Sequence, residues 1–402
     1  MSVYGSSPLN KCWATRLLAL LLLSVNGLSA SQLDQLDGAL QVHGFLTQAY
    51  VKTTENSFFG DSQDGSWDFR ELGINSSYRF TPSTLASIQL LSRRAGEMYD
   101  GSLDLDYAQL DTTFYMADAN RIGIVVGRYK NPFGLYNDTR DVAATRPGIF
   151  MPQAIYWDRV RNMVLSNDGA QLFGDMLVDD HRFSLRLIGG KTPIDENVEK
   201  SYLNPQLDPE MEQDGLTLGG RLLYEWDGGR FNLAYSSAQL KLDAETSQLP
   251  DGQVHIDYRV LSAQYNSGSW SLTVEYMQEP LNYSGFGGLL DAGDTTLDGY
   301  YLQGTYRLFD DLELFARYEE SHYDKEDKRG EKTAQRLGLE AHNFYSRVST
   351  LGLLWEVADG LIVRGEFSQV DGTIFLSNLE NPPPNERSRN WNLFSLLVSY
   401  SF

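Results

Sequence analysis

The sequence predicts an all-β chain, specifically a transmembrane antiparallel up-and-down β-barrel of about 16 strands with long extracellular loops and short periplasmic turns. Three observations carry this expectation: an N-terminal export leader followed by no second long apolar run, a period of two in hydrophobicity from about residue 40 onward, and an alternation of long and short connections.

The leader comes first. Lys11 and Arg16 precede the apolar run Leu17 to Leu23, and small residues follow as far as Gly27-Leu28-Ser29-Ala30. That is the pattern of a secretory signal peptide over residues 1–30. The run is too short to span a bilayer as a helix, which takes about 20 apolar residues. Cys12, the single cysteine, precedes the apolar run, so a lipidated cysteine is not expected, and disulfide frameworks and cysteine zinc sites are excluded. Residues 31–402 are then the barrel, and any membrane crossing must use strands.

Strands begin near residues 41, 68, 84, 102, 121, 168, 181, 215, 230, 254, 269, 298, 312, 346, 361 and 390. Leu72, Ile74, Tyr78 and Phe80 oppose Glu71, Asn75 and Arg79; Phe183, Leu185 and Leu187 oppose Arg182, Ser184 and Arg186. In the last strand Phe394, Leu396, Val398, Tyr400 and Phe402 oppose Ser395, Ser399 and Ser401. Tight turns are expected near Pro82, Asn120, Asp180, Gly228, Gly268, Asp311 and Gly360, most with the Gly, Asp or Asn that unusual backbone angles require. The connections between them are expected to be long, with the longest over 131–167, and long and short alternate along the chain. A soluble sandwich has no reason to obey such an alternation. Aromatics such as Tyr224, Trp226, Trp270, Tyr300, Tyr306 and Trp391 fall at strand ends, where interfacial girdles sit.

Composition removes other classes. Acidic residues number 54 against 33 basic, a net charge of −21, which argues against a nucleic-acid partner. An aromatic content of 12% is too high for a disordered chain. A mean hydropathy of −0.36 agrees with strands of which half the residues face water.

Two segments carry a resemblance. The end Leu396-Leu397-Val398-Ser399-Tyr400-Ser401-Phe402 resembles the assembly signal of Gram-negative outer-membrane barrels, and Gly127-Arg128-Tyr129-Lys130-Asn131-Pro132-Phe133-Gly134 resembles the G-x-x-K-x-P-F-G stretch of the phosphate-selective porin family. The resemblance implies a diffusion channel whose third outer loop folds into the pore, a homotrimer, an outer-membrane setting among lipid and lipopolysaccharide, and recognition by the barrel-assembly machinery through the strand ending at Phe402. It does not fix phosphate as the solute. Asn131-Pro132-Phe133-Gly134 equally fits a rigid bend that aims the loop and touches no solute.

The candidate pore residues follow. Arg128, Lys130, Arg140, Arg146, Arg159 and Arg161 stand against Asp138, Asp141 and Asp158, a local excess of three positive charges. Fixed charge in a narrow passage is poorly screened, so this excess favours anions at a constriction. Arg79, Arg182, Arg186, Arg221, Arg307, Arg317 and Arg364 occupy polar-face positions of the wall and are expected to point into water. The same residues also fit a general, sugar or organic-acid porin without anion selectivity. A plugged barrel serving as a binding or enzymatic scaffold is the third reading.

Acids dominate 191–214, where Asp195, Glu196, Glu199, Asp208, Glu210, Glu212 and Asp214 face only Lys191 and Lys200; a solvated loop face is the plain reading, and divalent cations the alternative. No enzyme is expected. Gly190-Lys191-Thr192 lacks the glycine of a phosphate-binding loop at Leu185, no G-x-S-x-G is present, and His43, His181, His255, His322 and His342 are dispersed without metal-ligand spacing. Asp104 and Asp106 share one strand face and read as wall polarity. No metal or other cofactor is expected.

Overall fold

A computed structural model describes residues 39–288 and 294–402; the leader over 1–30 and its cleavage near Ala30 lie outside the described residues. The strands are β1 (Leu40–Thr53), β2 (Ser66–Thr81), β3 (Thr84–Ala95), β4 (Tyr99–Ala117), β5 (Asn120–Lys130), β6 (Ser166–Val178), β7 (His181–Lys191) and β8 (Glu210–Trp226). They continue as β9 (Phe231–Glu245), β10 (Gly252–Asn266), β11 (Trp270–Ser284), β12 (Thr295–Phe309), β13 (Leu312–His322), β14 (Tyr345–Ala358), β15 (Leu361–Gly372) and β16 (Asn390–Ser401). Each is antiparallel to the next, and β16 pairs back onto β1, so these 16 strands form a closed barrel with no free edge.

Closure reaches the last residue. The Phe402 N–H donates to the Gly44 carbonyl at 3.0 Å, and the Gly44 N–H donates to the Phe402 carbonyl at 3.1 Å. The Phe402 ring lies over Gly44, where a Cβ would come within 2.6 Å of it.

The period of two is the barrel's inside and outside. Leu72, Ile74, Phe80, Phe183, Leu185, Leu187, Phe394, Leu396, Val398, Tyr400 and Phe402 are all between 37% and 65% exposed on the outer surface. An apolar surface this continuous is stable only with lipid as its solvent. Opposite it, Thr47 and Ser399 face inward with their hydroxyls 2.7 Å apart.

Two expectations are corrected. The β3–β4 connection spans only 96–98, because β4 starts at Tyr99, so the long-and-short alternation has this exception. Trp391 is not in a girdle: it has the inward parity of Leu393 and Ser395, is 2% exposed, and donates its indole N–H to the Gly372 carbonyl at 3.2 Å. The largest error in a strand start is at β8. Residues 210–214 pair with 241–245 ahead of a register shift between Asp214 and Leu218, and the acidic run hides that pairing.

At the long-loop end apolar clusters pack the inward loops against the barrel wall. Phe150 of the loop 131–165 meets Phe58, Phe59 and Phe69, each with ring centroids 5.2 Å away. On the other side Tyr156, Trp157 and Val160 pack with Ile256, Val260, Met277 and Leu281 of the wall. Burial of such side chains contributes roughly 1.5–3 kcal/mol each, which makes the loops part of the folded core.

Candidate functional site: a charged loop clamped inside the barrel

The loop 131–165 leaves β5 through the motif Asn131-Pro132-Phe133-Gly134. The Asn131 N–H donates to the Leu165 carbonyl at 2.8 Å, its side-chain amide donates to the Val164 carbonyl at 3.0 Å, and its Oδ1 accepts from Asn167 at 3.0 Å. Gly134 then turns with φ +58°, and a Cβ there would lie 2.2 Å from the Tyr156 hydroxyl. Only glycine takes that backbone in that space. The Gly134 N–H donates to Ser236 Oγ at 3.1 Å and the Leu135 N–H to Glu275 Oε1 at 2.9 Å.

From this hinge the loop is fixed to the wall at successive points. Tyr156 donates its hydroxyl to Glu275 at 2.7 Å, Tyr258 donates to the Ile155 carbonyl at 2.7 Å, and the Ala154 N–H donates to Glu319 at 3.1 Å. The Ile149 N–H donates to Glu366, and Arg146 pairs with Glu71. Arg93 of β3 pairs with Asp158 at 3.0 Å. The anchors come from β2 and β3 on one side and from β9, β10, β11, β13 and β15 on the other, so the loop crosses the lumen.

Most of the predicted loop cations hold the loop in place. Lys130 bridges Asp106, at 2.5 Å, and Asp141; Arg161 also pairs with Asp141. Arg140 reaches Asp158 at 3.3 Å. Burial alone would raise the Asp158 carboxyl, but Arg93, Arg140 and Arg161 together hold it below the usual carboxylate range. Asp141 is held down in the same way, burial being outweighed by Lys130 and Arg161. Burial brings the Arg140 guanidinium down to about 10.

Arg128 is a correction. It shares the outward parity of Ile122 and Val126 and pairs with Asp168 at 2.6 Å, outside the lumen; the register β5–β6 sets Arg128 directly opposite that outward aspartate. Arg159 differs from the other loop cations. It has no carboxylate within 4.0 Å among the described residues, stacks its guanidinium on Trp157 at 4.2 Å, and donates to the Ile374 carbonyl at 3.0 Å.

All the wall arginines have lumen parity, but their surroundings divide them. Arg79 and Arg307, toward the short-turn end, are exposed. Arg182 faces Glu225 at 3.9 Å, Arg186 pairs with Asp175 at 2.8 Å, and Arg221 reaches from β8 to Asp138 of the loop at 3.0 Å. Arg317 and Arg364 do not point into water: they are 6% and 3% exposed beneath the loop. Arg317 reaches Glu319 at 3.3 Å, and Arg364 donates to the Arg146 carbonyl at 2.9 Å.

Sequence reasoning missed the acids that receive the loop, namely Glu275, Glu319 and Glu366, and the role of Glu71. The available signal was a carboxylate at a lumen-parity position of an otherwise alternating strand. The acidic stretch is also partly structural, since Asp195 caps the helix Glu196–Tyr202 by accepting the Val198 N–H at 3.0 Å and takes the Asn162 amide at 2.7 Å.

Comparison with known proteins finds no matching family model and no matching curated protein. Solved structures do match. The outer membrane channel DcaP of Acinetobacter baumannii is 12% identical, with 90% of this chain and 97% of that one covered at a TM-score of 0.59. The anion-selective porin from Comamonas acidovorans is 12% identical, covering 90% and 99% at 0.56. A trimer form of OmpT, an outer membrane protein of Vibrio cholerae, is 13% identical, covering 90% and 99% at 0.55. What these likenesses show is the fold: this chain is a 16-stranded antiparallel β-barrel of the kind those outer-membrane proteins have.

Proposed function

We propose that this chain is an outer-membrane channel for passive diffusion of small hydrophilic solutes, with a mild preference for anions. The observation that carries the reading is the loop 131–165 held across the lumen of a closed barrel whose outer face is apolar. Below the loop, the short-turn half keeps polar residues of lumen parity in water, among them Arg79, Arg121, Arg182 and Arg307. Such a barrel filters by the size of its constriction and by the fixed charge along the passage. We place the apolar band in the outer membrane, the long loops on the cell surface, and the chain in a homotrimer. Residues 1–30 serve export, and the Phe402 end serves insertion by the assembly machinery.

The anion preference rests on cations of lumen parity that have no bonded acid among the described residues, Arg79 and Arg307 below the loop. The preference is mild because Lys130, Arg140, Arg146 and Arg161 are neutralised by Asp106, Asp141, Asp158 and Glu71. Phosphate selectivity has less support, since the Gly127–Gly134 motif supplies a hinge and an outward ion pair. We assign no catalytic role to the loop acids, which are bonded to the loop they anchor.

The test is the zero-current potential of the purified protein in a planar bilayer across a potassium chloride gradient. The expected result is a modest chloride preference without strong block by phosphate. Strong phosphate block would restore the selective reading, and absence of conductance would replace the channel with a plugged scaffold.

A further inference from the structure

Outside the clamp, at the long-loop end, three loops converge on a small cavity. Its lining is Arg159 from 131–165, Asn197, Lys200 and Ser201 from the helix Glu196–Tyr202, and Ser377, Asn378 and Leu379 from 373–389. The centre of a water-sized particle can range over about 10 Å³ within it, which leaves room for a single small ion. Among the described residues no carboxylate lines it.

Arg159, Lys200, Ser377 and Asn378 present donors to it, while the Asn197 amide and the Ser201 hydroxyl donate away from it, to the Met98 and Asn197 carbonyls. Arg159 Nε is buried and has no hydrogen-bond partner among the described residues. Arg387 donates through Nη2 to Asn378 Oδ1 at 2.7 Å, and that bond occupies the acceptor of the Asn378 amide while leaving its N–H groups free. Ser377 Oγ accepts the Leu379 N–H at 3.1 Å, which leaves its own hydroxyl proton available. Lys200 brings a second cation, paired among the described residues with the exposed Glu196.

The charges agree with the geometry. Neither Arg159 nor Arg387 has a carboxylate within 4.0 Å among the described residues. Burial is the main reason each guanidinium is brought down to about 10, and Arg159 adds repulsion at Arg387. The acid within electrostatic reach of Arg159 is Glu279 of β11, and it already accepts the Tyr202 hydroxyl at 2.7 Å. Two guanidiniums held near one another without a bonded acid leave a local positive charge that a small anion would offset.

We propose that this cavity is a resident-anion site, taking one inorganic anion of about chloride's size, that ties the loops 131–165, 192–209 and 373–389 together at the mouth of the barrel. The anion bridges Arg159, Lys200, Ser377 and Asn378, and Arg387 acts through Asn378 as a positioning residue. The site is separate from the diffusion path and stands whatever solute the channel passes.

Bromide tests it directly. Crystals of the whole protein soaked in bromide should show an anomalous peak between Arg159 and Asn378, and the thermal midpoint of the detergent-solubilised protein should rise with chloride but not with gluconate at fixed ionic strength. Asn378→Ala, a loop change that leaves the clamp intact, should weaken the chloride dependence about tenfold or more, the effect of losing one hydrogen bond to a charged group, with an unchanged zero-current potential. Lys200→Gln should act in the same direction and serves if the first variant folds poorly. A cavity without bromide together with a chloride-independent midpoint overturns the proposal. Bromide without any effect on the midpoint means an adventitious ion only. Should Asn378→Ala move the zero-current potential as well, the anion is the permeating solute and the resident site is refuted.

Discussion

Arg93 of β3 and Asp158 of the loop 131–165 meet at 3.0 Å with side chains only 5% and 7% exposed, and this pair joins the loop to the wall where the chain turns back toward β6. Asp158 also accepts from Arg140 at 3.3 Å and from the Gln153 amide at 3.1 Å. A buried carboxylate with three donors is expensive to remove, because its cations then lack a partner. A buried pair of this kind fixes geometry more than it adds net stability.

Asp158→Ala should therefore cost about 3–5 kcal/mol, the usual penalty for removing one member of a buried pair. Urea unfolding of the detergent-solubilised protein measures it, and single-channel recordings should show added open-channel noise. A variant as stable and as quiet as the parent would mean that the loop does not depend on this knot.

The clamp should resist moderate acid. Asp158 and Asp141 have carboxyls held below their usual range. A carboxylate lowered in the folded state contributes fully above its unfolded value, about 3.9 for Asp, and loses that contribution as the pH falls through the folded value. We expect the Asp158 contribution, taken as the difference in urea midpoint between parent and Asp158→Ala, to be constant from about pH 7 to 5 and to shrink only below about pH 4. Shrinkage beginning near pH 6 would contradict this assignment.

Gly134→Ala should misplace the loop. The left-handed backbone costs about 1–2 kcal/mol for a non-glycine residue, and the new Cβ would collide with the Tyr156 hydroxyl. Altered unitary conductance with retained barrel β-structure by circular dichroism is the expected result. Unchanged conductance would show that the hinge does not set the constriction.

Arg161 and Arg307 should separate holding from filtering. Arg161→Ala leaves Asp141 short of one of its two cations in a buried setting and should lower stability by several kcal/mol. Arg307→Ala removes an exposed lumen cation, so stability should stay within about 0.5 kcal/mol while the zero-current potential shifts toward cations. Reversed outcomes would exchange the two roles.

The barrel was legible in the sequence because a strand's faces alternate strictly. The exposed Leu185 and the inward Arg186 are adjacent in the chain, and no helix accommodates that pattern repeated so many times between turn signals. The hinge was legible as well, since Pro132 and Gly134 announce a bend whatever surrounds them. Tertiary structure alone decided which charges are free. Arg161 and Arg159 are two residues apart with the same side chain, yet one is bound to Asp141, 20 positions earlier, and the other rests on Trp157 with no carboxylate beside it. Arg146 finds Glu71, 75 positions away, for the same reason: an ion pair depends on distance in space, and barrel closure with an inward loop brings together carboxylates and cations that a local charge count keeps apart.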